Sequence, residues 1–245
     1  MTEAVPVVRA RDVLYRDDAL VVVNKPSGLA THRGDARDRV TLLSQLRDLV
    51  GRWVYPVHRL DRATSGAVLF AIEKHWVAPL QAQFEGRTVR KHYVALVRGV
   101  PETRGVIDRA LPRDMGGPRV PAETYFELRG SFERFGWLAL QPRTGRRHQL
   151  RRHLKHISHP IVGDVKYGKG TVNRSFRERF GLHRLALHAR ALAFDHPGGE
   201  RIAVEAPLPE DLREPLVKMG LVDSNAPRSR PEAIRNKPLK SMHQT

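Results

Sequence analysis

Residues 56–66, PVHRLDRATSG, set one carboxylate, Asp61, between two guanidinium groups, Arg59 and Arg62, in a segment that closes on Thr64, Ser65 and Gly66. Flanking cations favour the ionised carboxylate, so Asp61 suits a nucleophile or a base better than a general acid. The same spacing fits an ordinary ion pair on a turn, and spacing alone leaves both readings open. A glycosidase of the usual kind is disfavoured, because it needs a second carboxylate across the scissile bond. A protein kinase is disfavoured as well: HRLD comes without a D-F-G, a Gly-rich loop or a suitably placed Asn.

A second constellation, residues 140–160 (LQPRTGRRHQLRRHLKHISHP), holds Arg143, Arg146, Arg147, Arg151, Arg152 and Lys155 without an acid. A helix beginning near Gly145 places Leu150, Leu154 and Ile157 on one face and turns Arg151, Arg152 and Lys155 elsewhere. One face then packs and another is free to meet phosphate; a solvated basic helix is the plainer alternative. The helix N-terminus adds amide donors beside Arg146 and Arg147, which suits an anion or a carboxylate such as Asp61. His148, His153, His156 and His159 share the stretch, yet they sit among cations and have no nearby Asp or Glu before Asp164, so no metal site is expected. His188, in RLALHARAL, reads as a hydrogen-bonded core residue. Tyr93, in RKHYVALVRG, is either a packing residue or an aromatic on which an extruded base stacks.

Composition narrows the class. Lys+Arg 43 against Asp+Glu 26 gives a formal charge of +17 over 245 residues, which marks a polyanionic partner, nucleic acid being the commonest. A simple preference for Arg over Lys explains the arginines but not the net excess. With Cys 0, disulfides, thiolate metal sites and cysteine nucleophiles are excluded. No apolar run approaches the roughly 20 residues that span a bilayer and no signal-peptide pattern opens the chain, so a cytoplasmic protein with no membrane partner is expected. Neither G-x-G-x-x-G nor a P-loop occurs, and no nucleotide cofactor is expected.

The elements that position these residues follow from periodicity and turn signals. Two short strands flank Asp17 and Asp18 and end at the NKPSG loop; a helix covers 41–50 behind Thr41 as N-cap; GAVLFAIE is a buried strand. Residues 74–85 read as a helix despite Pro79, and TVRKHYVALVRG as a strand ended by Gly99. Residues 101–121 read as an exposed loop with DMGGPR its least ordered part, followed by strands AETYFELRG and RFGWLALQP. A strand over 185–195 turns at HPGGE into RIAVEAP, and PEDLREPLVKMG is a last helix. Residues 1–223 are expected to form one domain, and 224–245 a basic, disordered tail that either adds nonspecific RNA affinity or merely solubilises. Many strands, few helices and no regular βαβ alternation argue for α+β on a mixed, mainly antiparallel sheet.

Five segments in register, NKPSGLATHR, VHRLDRATSGAVLFA, KHYVALVRG, PRTGRRHQLRRHLKHISHPIVGD and LHRLALHARALAF, resemble the motifs of RNA pseudouridine synthases of the RluA family. The compact N-terminus without an S4-type module and the stretch NRSFRERFGLHRLALHA are most similar to a branch that acts on tRNA. The resemblance implies an isomerase that detaches uracil from ribose and reattaches it through carbon, with no cofactor or metal, acting on tRNA or, alternatively, ribosomal RNA; a monomer is expected. It implies a sheet divided by an active-site cleft, with Asp61 as the catalytic aspartate, Arg62 in flipping the nucleotide, Tyr93 packed on uracil and Arg146 paired with the aspartate. Arg59, Arg147, Arg151, Arg152 and Lys155 are expected to contact RNA. Ala63 departs from the pattern, in which Pro is common before T-S-G. The alternative from another class is a catalytically silent RNA-binding protein in which the Asp61 segment is only structural.

Overall fold

The computed structural model describes residues 5–33, 40–113 and 117–224. The hairpin of β1 (Val13–Arg16) and β2 (Leu20–Lys25) is locked by Asp17, whose Oδ1 accepts the amides of Ala19 and Leu20. α1 (Leu42–Val50) starts where the Thr41 hydroxyl accepts the Ser44 amide and stops at Gly51 in the left-handed region, as its cap residues dictate. Next come β3 (Tyr55–Pro56), β4 (Ser65–Ala71), α2 (Val77–Glu85) and β5 (Arg90–Arg98). Pro79 sits in the first turn of α2, where its missing amide has no intrahelical acceptor to lose.

The expected loop over 101–121 instead carries three short strands: β6 (Arg104–Asp108), β7 (Leu111–Pro112) and β8 (Arg119–Val120). β6 is an edge strand with only Ile107 buried, so its hydrogen bonds to a neighbour, not an apolar pattern, make it a strand. Residues 114–116 of DMGGPR, and the expected tail beyond 224, lie outside the described residues. β9 (Glu123–Phe132) and β10 (Phe135–Pro142) follow, then α3 (Gln149–His156) and α4 (Gly170–Phe180). α4 has no counterpart among the sequence expectations, because only Phe176 and Phe180 of its polar sequence are buried. β11 (Leu187–Asp195), β12 (Arg201–Glu205) and α5 (Glu210–Lys218) complete the order. Among the described residues no helix is long and apolar enough to cross a membrane.

One sheet runs β1-β2-β4-β11-β5-β10-β9-β6, with β3 beside β4 and β12 beside β11, while β7 and β8 pair separately. All named pairs are antiparallel except β4 with β11, so the architecture is α+β on a mixed, mainly antiparallel sheet. Period-two alternation splits the strands between two cores. Val21, Val23, Val68 and Phe70 face α1, whereas Leu20, Val22, Leu69 and Ala71 face Leu80 of α2 and Phe194. A third core gathers β5, β10, α3, α4 and α5.

The parallel contact is short, His188 opposite Ser65 and Ala189 opposite Gly66. His188 is fully buried, its Nδ1 sharing a hydrogen bond with Ser65 Oγ at 2.8 Å and its Nε2 one with Ala206 O at 3.1 Å. Gly66 has φ +121°, and a Cβ there would lie 2.2 Å from Ala189 O. Gly66→Ala therefore combines backbone strain with a backbone clash and is expected to cost about 3 kcal/mol or more in chemical denaturation.

Candidate active site

A cleft of about 400 Å³ opens over the middle of the sheet. It crosses four adjacent strands, touching Thr64 beside β4, Leu187 of β11, Tyr93 of β5 and Pro142 of β10, with α3 closing one wall. Asp61 lines it, its side chain 23% exposed.

Asp61 is carried on the loop between β3 and β4, and that loop is clamped from below by the segment from Lys25 to Thr31. Four consecutive carbonyls are all occupied. Leu60 O accepts Thr31 Oγ1, Asp61 O accepts the Thr64 amide, Arg62 O accepts the Gly28 amide and Lys25 Nζ, and Ala63 O accepts Ser27 Oγ. Lys25 is fully buried and donates to the carbonyls of Pro26, Leu29 and Arg62 at 2.8, 2.7 and 3.1 Å. Burial draws its pKa down to about 7, and the three acceptors oppose that by binding the charged form.

The partner of Asp61 is not the one expected. Arg151 Nη1 donates to Asp61 Oδ2 at 3.3 Å, while its Nε and Nη2 bind Asp164 at 2.8 and 2.9 Å. Arg146 instead donates from Nε to Pro121 O at 3.2 Å, and its amide is held by Gln149 Oε1. The physical reason lies in the helix start. α3 begins at Gln149, four residues later than expected, and residues 144–148 form a turn organised by Gln149, which also accepts from Thr144 Oγ1. Arg151 thereby falls in the first helical turn and on the packed side with Leu150, His153 and Leu154. It was expected to meet RNA; it is buried, with its guanidinium committed to two carboxylates.

Asp164 is the residue that spacing did not single out. Its side chain has no exposure and also accepts the amides of Lys166 and Tyr167, so the Arg151 charge and these donors hold its carboxyl below the usual range despite burial. The available signal was its position as the first acid after a long run of cations. His148 caps α3 in the left-handed region at φ +53°, with Nδ1 3.1 Å from Tyr167 Oη and Nε2 3.9 Å from Asp61 Oδ1. Burial lowers its pKa, Asp61 opposing, so a neutral imidazole faces the carboxylate.

Tyr93 lines the cleft and packs against two of the cores; burial and the nearby Asp61 charge push its phenol up, keeping it neutral. Arg59 lines the cleft and is exposed, and Arg62 is exposed with Nε donating to Gly28 O at 2.8 Å. Arg147 and Lys155 are exposed, and Arg152 is half-buried beside Pro112 O. His153 bonds Thr124 and Arg109 O, and His159 bonds Arg98 O. Among the described residues no group of three or more His, Asp or Glu side chains is arranged to hold a metal. The cleft thus offers a carboxylate fixed by a guanidinium, an aromatic ring and basic walls, a combination suited to attack on or deprotonation of a sugar next to phosphate. Arg151→Met strands Asp164 without its ion partner and is expected to cost about 3–5 kcal/mol, against less than about 1 kcal/mol for Arg146→Met, by urea denaturation.

Comparison with known proteins places this geometry. The family model for RNA pseudouridylate synthase matches residues 19–156. The tRNA pseudouridine synthase C of Haemophilus ducreyi is 41% identical over 76% of this chain and 86% of its own length. That of Salmonella typhimurium is 38% identical over 85% of this chain and 90% of its own. The solved structure of human RNA pseudouridylate synthase domain containing 4 superposes with a TM-score of 0.73 at 28% identity, covering 88% of this chain and 95% of that one. The chain belongs to the RNA pseudouridylate synthase family and is an isomerase that acts on RNA.

Proposed function

We propose that this protein converts uridine to pseudouridine in tRNA, with Asp61 as the group that acts on the ribose. The observation that carries the reading is the Asp61 carboxylate in an open cleft, oriented by Arg151 and sharing that cleft with Tyr93. Uridine inside a helix is out of reach, so the nucleotide is extruded, at a cost of a few kcal/mol that phosphate contacts and stacking on Tyr93 offset. The cleft volume of about 400 Å³ suits one nucleotide. Asp61 then either attacks the anomeric carbon or takes the proton from the neighbouring ribose carbon; a carboxylate fixed in place serves both routes. Exposed Arg59, Arg62, Arg147 and Lys155 are assigned to the RNA backbone, with Arg62, next to Asp61, supporting the flipped nucleotide. Relatives named tRNA pseudouridine synthase C, matched over most of their length, support tRNA as the substrate class.

Asp61→Asn is expected to lower uridine isomerisation by at least about 10⁴-fold while tRNA binding persists, read as pseudouridine in digested tRNA beside a filter-binding assay. Mapping pseudouridine in cells with and without the gene identifies the target. A missing site confined to ribosomal RNA overturns the tRNA assignment, and unaltered isomerisation by Asp61→Asn overturns the role of Asp61.

A further inference from the structure

Among the described residues five cations line the cleft: Arg59, Arg87, Lys91, Arg146 and Arg151. Arg151 is committed to two carboxylates, and Arg59 and Arg87 are exposed to water. Arg146 is half-buried and directs its Nε to Pro121 O, and Lys91 stands apart from these as the one that shares β5 with Tyr93. Its side chain is part-buried, its Nζ donates to Thr144 O at 3.2 Å, and among the described residues no carboxylate is paired with it. An ammonium has three donors, so after Thr144 O is served two remain for whatever enters the cleft. Lys91 and Tyr93 are two residues apart on β5 and both line the cleft, which puts them on one face of the strand, about 7 Å apart along it. A uracil ring lying on Tyr93 therefore has its edge beside Lys91. Burial has drawn the Lys91 ammonium down to about 8, the mark of a cation held away from bulk water.

We propose that Lys91 is a further catalytic residue, whose ammonium donates to a carbonyl oxygen of the flipped uracil and stabilises the negative charge the base acquires as it leaves the ribose. The inference rests on the reading that places uracil against Tyr93. In either route open to Asp61, the C1′–N1 bond breaks and its electron pair goes to the base, spreading over N1 and the two carbonyl oxygens. The base turns and C5 forms the new bond to C1′, as the Asp61 ester bond to C1′ breaks in the first route or as Asp61 returns the proton to the neighbouring ribose carbon in the second; the C5 proton is lost to solvent and N1 gains one, so the change is an isomerisation. A desolvated cation beside the ring favours the anion far more than it favours the neutral nucleoside, which is the condition for lowering the barrier.

The test uses the full chain and an RNA transcript that the wild-type protein isomerises, of whichever RNA class the mapping returns, made with uridine or with 5-fluorouridine. Loss of the parent nucleoside is followed in single turnover. Lys91→Met is expected to slow loss of uridine by about 10²–10³-fold, the cost of removing one such donor, with unchanged RNA affinity. The deficit shrinks with 5-fluorouridine, whose electron-poor ring holds the departing pair with less help, and Lys91→Arg retains part of the rate. Equal deficits on both bases, with weaker RNA binding and a shallower salt dependence, make Lys91 a phosphate contact and overturn the proposal. A wild-type rate in Lys91→Met overturns it too. Tyr93→Ala is run alongside: if it leaves the rate unchanged, the placement of the base fails, whereas a slow Tyr93→Ala with a fast Lys91→Met removes Lys91 alone.

Discussion

A single buried guanidinium, that of Arg151, lies between the carboxylates of Asp61 and Asp164 and ties together three segments distant in sequence. Burying charge is costly unless it is paired and its remaining donors and acceptors are satisfied. Asp164 meets that condition, with two bonds from Arg151 and two from backbone amides. Asp61 receives only the third guanidinium contact, at 3.3 Å, and keeps nearly a quarter of its side chain open to the cleft. The asymmetry has a chemical sense: one carboxylate anchors the cation, and the anchored cation orients the other without exhausting its lone pairs.

The backbone beneath Asp61 is held with equal care. NKPSGLAT, a motif without an obvious reactive group, supplies the donors that occupy the carbonyls of Leu60, Arg62 and Ala63. A rigid loop is what a carboxylate needs if it is to meet one sugar atom at the right distance, since misplacement by an ångström costs orders of magnitude in rate. Gly66 continues the same logic one step along the chain. There β4 passes so close to Ala189 of β11 that no side chain fits, and that contact joins the Asp61 half of the sheet to the half carrying Tyr93 and Lys91.

Much of the architecture was legible in local signals, because the signals were strong where the elements are. The β1–β2 hairpin, α1 with Thr41 and Gly51 at its ends, β4 and β5 follow from alternation, caps and turn residues. β6 and α4 were not legible. An edge strand with one buried side chain and a helix anchored by two phenylalanines owe their form to neighbours that local periodicity does not register.

The site divides along the same line. The chain by itself determined a lone aspartate among arginines, a basic run and a strong positive excess that call for a polyanionic partner, since residue type and charge are properties of the sequence, and the resemblance of its motifs to a known family tied them to RNA chemistry. Which arginine reaches Asp61 was decided only in three dimensions. A helix starting at Gln149 rather than near Gly145 leaves Arg146 in the turn before it, where it donates to Pro121, while Arg151 in the first helical turn falls on the buried side and reaches Asp61. Likewise Lys91 becomes a cleft residue only because the sheet brings β4, β11, β5 and β10 side by side, a long-range pairing that no local pattern encodes, and Asp164 becomes an anchor because the segment after α3 folds back onto Arg151.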